Sequence, residues 1–85
     1  MSAPLTMYTT QWCAFCRRLK SQLARDGITI TEVDIERDPA AADYVMSVNG
    51  GNQTVPTVVF PDGSVMVNPS AAQVKKRMAE RATSG

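Results

Sequence analysis

The sequence predicts an α/β fold with elements in the order strand, helix, strand, helix, strand, strand, helix (βαβαββα). Three observations carry that prediction. Alternating or β-branched stretches occur at 5–9, 28–35 and 57–60. Apolar residues at helical spacing, with cap signals, fill the intervals between the first three strands. A Pro-Asp-Gly turn then joins the third strand to a fourth. At 85 residues the chain has room for one domain, 1–85, with a modest core.

Leu5-Thr6-Met7-Tyr8-Thr9 alternates apolar and polar residues and is the first predicted strand. A helix follows from the cysteines to Arg25. Trp12, Cys16, Leu19 and Leu23 fall on one stripe, with Arg17, Arg18 and Lys20 mostly off it. Gly27 is placed for the left-handed residue that ends this helix. Residues 28–35 contain six β-branched residues and form the second strand, but its alternation slips phase near Glu32. Asp38-Pro39 reads as an N-cap with proline in the first turn. Ala42, Val45 and Met46 give that helix its apolar side, and Asn49-Gly50-Gly51 ends it.

Thr57–Phe60 is a third strand, and Ser64–Val67 its hairpin partner. Asn68-Pro69-Ser70 opens a last helix with Ala71, Val74 and Met78 inward. Its basic residues are expected near the C-terminal end, where the helix dipole favours them. Ala82 to Gly85 are expected to fray. The first strand–helix–strand unit should be parallel and the later hairpin antiparallel.

Composition excludes several function classes. Apolar residues make up 44% and charged residues 20%, as in ordinary globular chains. No apolar run approaches the ~20 residues of a membrane span. Met1-Ser2-Ala3-Pro4 lacks the pattern of a secretory signal, so a cytoplasmic location is expected and no membrane partner. A net charge of +1 gives no bulk argument for nucleic acid. Charge is uneven: residues 1–25 hold four cations and no acid, and 26–62 hold seven acids and only Arg37 as cation. There are two cysteines and no histidine. That removes a Cys–His nucleophile, a Ser–His triad and a His-ligated zinc.

Cys13-Ala14-Phe15-Cys16 is a C-x-x-C at the junction of a strand and a helix, the pattern of a redox dithiol. Cys13 at the helix mouth meets unpaired backbone N–H groups and the positive dipole end. Its thiolate should form below the ~8.5 of a free thiol, with Arg17 and Arg18 as further help. Cys13 is thus expected as the exposed nucleophile and Cys16 as the shielded resolving thiol. Two structural cysteines, half of a dimeric zinc or iron–sulfur site, and a static disulfide are the competing readings. Trp12 could shield the cysteines, contact a partner or cap a small core. Phe15 should point outward as a contact surface. Pro56, just before the third strand, is an edge proline or a loop proline.

Trp12-Cys13-Ala14-Phe15-Cys16, followed about 40 residues later by Thr54-Val55-Pro56-Thr57, resembles the glutaredoxin branch of the thioredoxin superfamily from Leu5 to about Met78. Asn49-Gly50-Gly51-Asn52 and Asn68-Pro69-Ser70-Ala71 are similar to the mycoredoxins in particular. The resemblance implies a four-stranded mixed sheet flanked by three helices and a cis bond before Pro56. It implies a monomeric thiol–disulfide oxidoreductase with no tightly bound cofactor and mycothiol as co-substrate. Its clients would be S-mycothiolated or disulfide-containing proteins. It implies Cys13 as the attacking thiol and Cys16 as the resolving one. Substrate contacts would come from Gln11, Trp12, Ala14 and Phe15, from Thr54, Val55 and Pro56, and from Asn68 and Ser70. The Gly-Gly and acidic residue that glutathione-binding glutaredoxins carry at the last helix are absent here, which argues against glutathione. A redoxin of the NrdH type, reduced by thioredoxin reductase, is the nearest alternative.

Overall fold

The computed structural model describes residues 4–84, with side chains from 4 to 80. The expectations for Met1–Ala3 and Gly85 lie outside the described residues. The elements are β1 (Leu5–Thr9), α1 (Ala14–Arg25), β2 (Ile30–Asp34), α2 (Pro39–Val48), β3 (Thr57–Val59), β4 (Val65–Val67) and α3 (Ala71–Ser84). They form a four-stranded mixed sheet in the order β2-β1-β3-β4. β1 runs parallel to β2 and antiparallel to β3, and β3 pairs antiparallel with β4.

The sheet separates two apolar clusters, as period-2 strands with both faces covered require. Leu5 and Met7 of β1 and Val58 of β3 join Leu19 and Leu23 of α1 and Val74 of α3 on one face. Tyr8, of opposite parity in β1, packs with Ile35, Ala41 and Val45 on the α2 face. Tyr8 and Tyr44 rings lie 5.4 Å apart there. Burial, then the neighbouring Tyr44 and Asp38, pushes the Tyr8 phenol above its ordinary pKa.

The helix ends follow their local chemistry. Asp38 caps α2 through Oδ1, which accepts the N–H groups of Ala40 and Ala41 at 3.1 and 3.2 Å. Gly27 takes a φ of 75° just past α1, where a side chain would be strained. Ser70 and Gln73 form a reciprocal capping box before α3, a Ser-x-x-Gln signature visible in the sequence.

Several expectations need correction. The second strand is shorter than 28–35, spanning Ile30–Asp34 at the sheet edge, where β1 alone holds it. The third and fourth strands each lose one residue, because Phe60 and Ser64 instead close the turn through a 2.8 Å backbone bond. In α2, Ala42 packs half-buried beside the buried Val45 as expected, and Ala41, which the stripe did not include, is buried with them. The α3 helix spans Ala71–Ser84. Lys75, Lys76 and Arg77 therefore sit in its first half, away from the negative dipole end. Lys75 instead pairs with Asp26 at 2.9 Å, and the Arg77 guanidinium lies 5.8 Å from the Phe60 ring centre.

Candidate active site

Pairing of β1 with β3 sets Tyr8 opposite Thr57. The C-terminal end of one strand thus meets the N-terminal start of the other, so the segments carrying Cys13 and Pro56 leave the sheet at the same end. Cys13 is the N-cap of α1, with extended backbone (φ −84°, ψ 100°). Its Sγ accepts the backbone N–H of Cys16 at 3.1 Å. That donor is one of the orphan N–H groups of the first turn, so the sulfur occupies the place that a serine or aspartate oxygen takes in ordinary caps. Cys13 and Cys16 are joined as a disulfide.

Both cysteines are buried: Cys13 is 7% exposed and Cys16 1%. The expectation of an exposed Cys13 is corrected, because its sulfur is turned back onto the helix end, toward Cys16. The order of accessibility within the pair is as expected. Trp12 is 70% exposed, so it does not cap the core despite its helical spacing. It precedes the helix, where the 3.6-residue period no longer applies. Its indole N–H donates instead to Glu36 Oε2 at 3.2 Å, and the Glu36 backbone N–H donates to Asp34 Oδ1 at 2.9 Å. Phe15 points outward, and Gln11 and Ala14 are exposed beside it.

The Val55–Pro56 bond is cis. Pro56 is buried, with Thr54 and Val55 half-buried before it. Thr57, wholly buried, anchors this turn: its hydroxyl donates to the Thr54 carbonyl at 2.7 Å and accepts from Asn49 Nδ2 at 3.4 Å. Asn68, in the left-handed region at φ 51°, donates its N–H to the Pro56 carbonyl at 2.7 Å. The third segment is thereby tied to the second. The Ser70 hydroxyl is engaged with the N–H of Gln73 at 3.1 Å in the helix cap.

A cavity of about 400 Å³ reaches Cys16 from the β2 edge, lined in part by Cys16, Arg17, Glu32, Asp34 and Arg37. Sequence reading did not select Glu32, Asp34, Glu36 or Arg37, although the slipped alternation at Glu32 marked the place. Among the described residues no group of three or more His, Cys, Asp or Glu could hold a metal ion, and no helix is long and apolar enough to cross a membrane.

Residues 5–66 match the family model for glutaredoxin. A Mycobacterium tuberculosis protein bearing a provisional glutaredoxin name is 55% identical over 80 residues, covering 94% of this chain and 95% of its own. Mycoredoxin 1 of Corynebacterium glutamicum is 44% identical over 70 residues, 82% of this chain and 86% of its own. The solved glutaredoxin of Archaeoglobus fulgidus superimposes with a TM-score of 0.71 at 25% identity, over 87% of this chain and 84% of that one. A family-model match over most of the chain and a dithiol at the mouth of the first helix agree on one conclusion: this chain belongs to the glutaredoxin family and is a thiol–disulfide oxidoreductase.

Proposed function

We propose that the protein reduces protein–mycothiol mixed disulfides, with Cys13 as nucleophile and Cys16 as resolving thiol. The observation that carries this reading is the seat of Cys13 Sγ at the N-cap of α1, accepting the Cys16 N–H at 3.1 Å. A hydrogen bond donated to the sulfur, together with the positive end of the helix dipole, favours the thiolate over the thiol. The similarity to mycoredoxin 1 supports mycothiol as the small thiol.

In the first step the Cys13 thiolate attacks the mycothiol sulfur of the mixed disulfide. A Cys13–mycothiol disulfide forms, the client–mycothiol bond breaks, and the client sulfur leaves as a thiolate that takes a proton from solvent. A second mycothiol thiolate then attacks the mycothiol sulfur on Cys13. Oxidised mycothiol departs and Cys13 is restored. Where the client is itself a disulfide, Cys13 first attacks one client sulfur and releases the other as a thiolate. The Cys16 thiolate then attacks Cys13 Sγ, the Cys13–client bond breaks, the second client sulfur leaves as a thiolate, and the pair is bonded as seen here.

We assign the client contact to Gln11, Trp12, Ala14 and Phe15. The thiol ligand would lie along Thr54, Val55 and Pro56, its backbone pairing with Val55 as an added strand, and against Asn68 and Ser70. The protein would work as a cytoplasmic monomer, without nucleic acid or membrane.

The test supplies the reduced protein and a mycothiolated client with mycothiol, glutathione or thioredoxin reductase. Mycothiol should sustain turnover. Cys13→Ser should reduce it to background, and Cys16→Ser should retain it. Recycling by thioredoxin reductase alone would place the protein with the NrdH-type redoxins.

A further inference from the structure

The slipped alternation of the second strand has a structural meaning. Ile28 and Ile30 pack on the α1–α3 face, whereas Val33 and Ile35 pack on the α2 face. Glu32 and Asp34 share the parity of Ile30, so two carboxylates occupy the inward positions where the pattern would otherwise continue with apolar residues. They face the cavity of about 400 Å³ beside the cysteines, a volume in the range that holds a small molecule. Gln11, two residues before Cys13, Arg17, one turn beyond it, and Arg37, beside Asp34, also line it. Thr10 also lines the cavity. It is 6% exposed, and its Oγ1 has no hydrogen-bond partner among the described residues.

This lining has a distinct chemistry. Two guanidinium groups and two carboxylates sum to no net charge, and the remaining polar groups are hydroxyl and amide. Lys20 further neutralises Glu32 at 3.1 Å, and Arg37 lies 3.9 Å from Asp34. A neutral molecule rich in hydroxyls would find donors in Arg17 and Arg37 and acceptors in Glu32 and Asp34 at once. Outside its cysteine, mycothiol is such a molecule, a glucosamine–inositol pseudo-disaccharide acylated at nitrogen.

We propose that this cavity is a polyol subsite that receives the pseudo-disaccharide of mycothiol while its sulfur reaches Cys13. The proposal rests on the mycothiol reading above and adds the specificity-determining residues Arg17, Glu32, Asp34 and Arg37.

The test uses the thiol-free pseudo-disaccharide N-acetylglucosaminyl-inositol, titrated into ¹⁵N-labelled protein. Amide shifts should concentrate at Gln11, Arg17, Asp34 and Arg37. Shifts confined to residues 54–56 and 68–70, or none, would overturn the subsite even if mycothiol sustains turnover. A second measurement uses Arg37→Ala, whose side chain is 76% exposed, so the fold should tolerate it. Loss of a charged hydrogen-bond donor should lower kcat/KM for mycothiol about ten-fold and leave that for N-acetylcysteine, which lacks the polyol, unchanged. An equal fall for both thiols would mean a structural role and count against the proposal. If mycothiol fails to recycle the wild-type enzyme, the parent reading falls. Shifts at the cavity would then still support a polyol site.

Discussion

At the residue scale, the chemistry concentrates on Cys13 and on what holds its neighbour Trp12. The sulfur takes the place of a capping oxygen, accepting a backbone N–H of the first turn of α1. Trp12 is held from the other side, by Glu36, which Asp34 holds in turn. Both bonds are exposed to solvent and contribute little to stability, but they restrict the side chain next to Cys13. Trp12 is the single tryptophan of the chain, so its emission reports on this contact alone. In Glu36→Ala the indole should gain nanosecond freedom, seen as a lower fluorescence anisotropy, with stability changed by less than about 0.5 kcal/mol. Glu36→Gln keeps an acceptor oxygen and should restore the wild-type anisotropy. If the alanine variant matched wild type, the indole would not be held by this carboxylate.

At the scale of elements, the helices are specified by their ends as much as by their stripes. Asp38 and Pro39 begin α2 with two side-chain-to-backbone bonds and a preset φ. Asp38→Ala should lower stability by about 1 kcal/mol, which urea titration would register as a lower midpoint with an unchanged slope. An unaltered midpoint would show that solvent replaces the cap at no loss. The β2 strand shows the opposite case. Its inward face is apolar at one end and charged at the other, because it covers the core at Ile30 and a cavity at Glu32 and Asp34. Read without its neighbours, the segment therefore shows a broken period.

At the scale of the whole molecule, a thin sheet between helices of unequal coverage does the stabilising. Leu19 and Leu23 of α1, Val74 of α3 and Leu5 and Met7 of β1 form one cluster, almost inaccessible to water. Leu23→Ala should leave a cavity there and cost about 2–5 kcal/mol. In a domain of this size that corresponds to a melting temperature lower by roughly 10 °C or more. Thermal denaturation followed by circular dichroism measures it. A drop of only a degree or two would mean that the cluster repacks around the loss. The same cluster fixes the pitch of α1 on the sheet, and with it the position of Cys13 at the sheet's end.

The order of elements, the caps at Asp38 and Gly27, the hairpin turn and the redox pair were all legible in the sequence. Each rests on interactions within a few residues, and local periodicity and turn chemistry report those faithfully. Only the tertiary structure decided that Trp12 stands in solvent, that Cys13 is tucked under its own helix end, and that Glu36 reaches Trp12 from 24 residues away. It also decided that Glu32 and Asp34 line one open cleft with Arg17 and Arg37. These facts depend on which strand lies at the edge and what the neighbouring helix covers. Pairing across distant segments sets that, and no period along one segment encodes it.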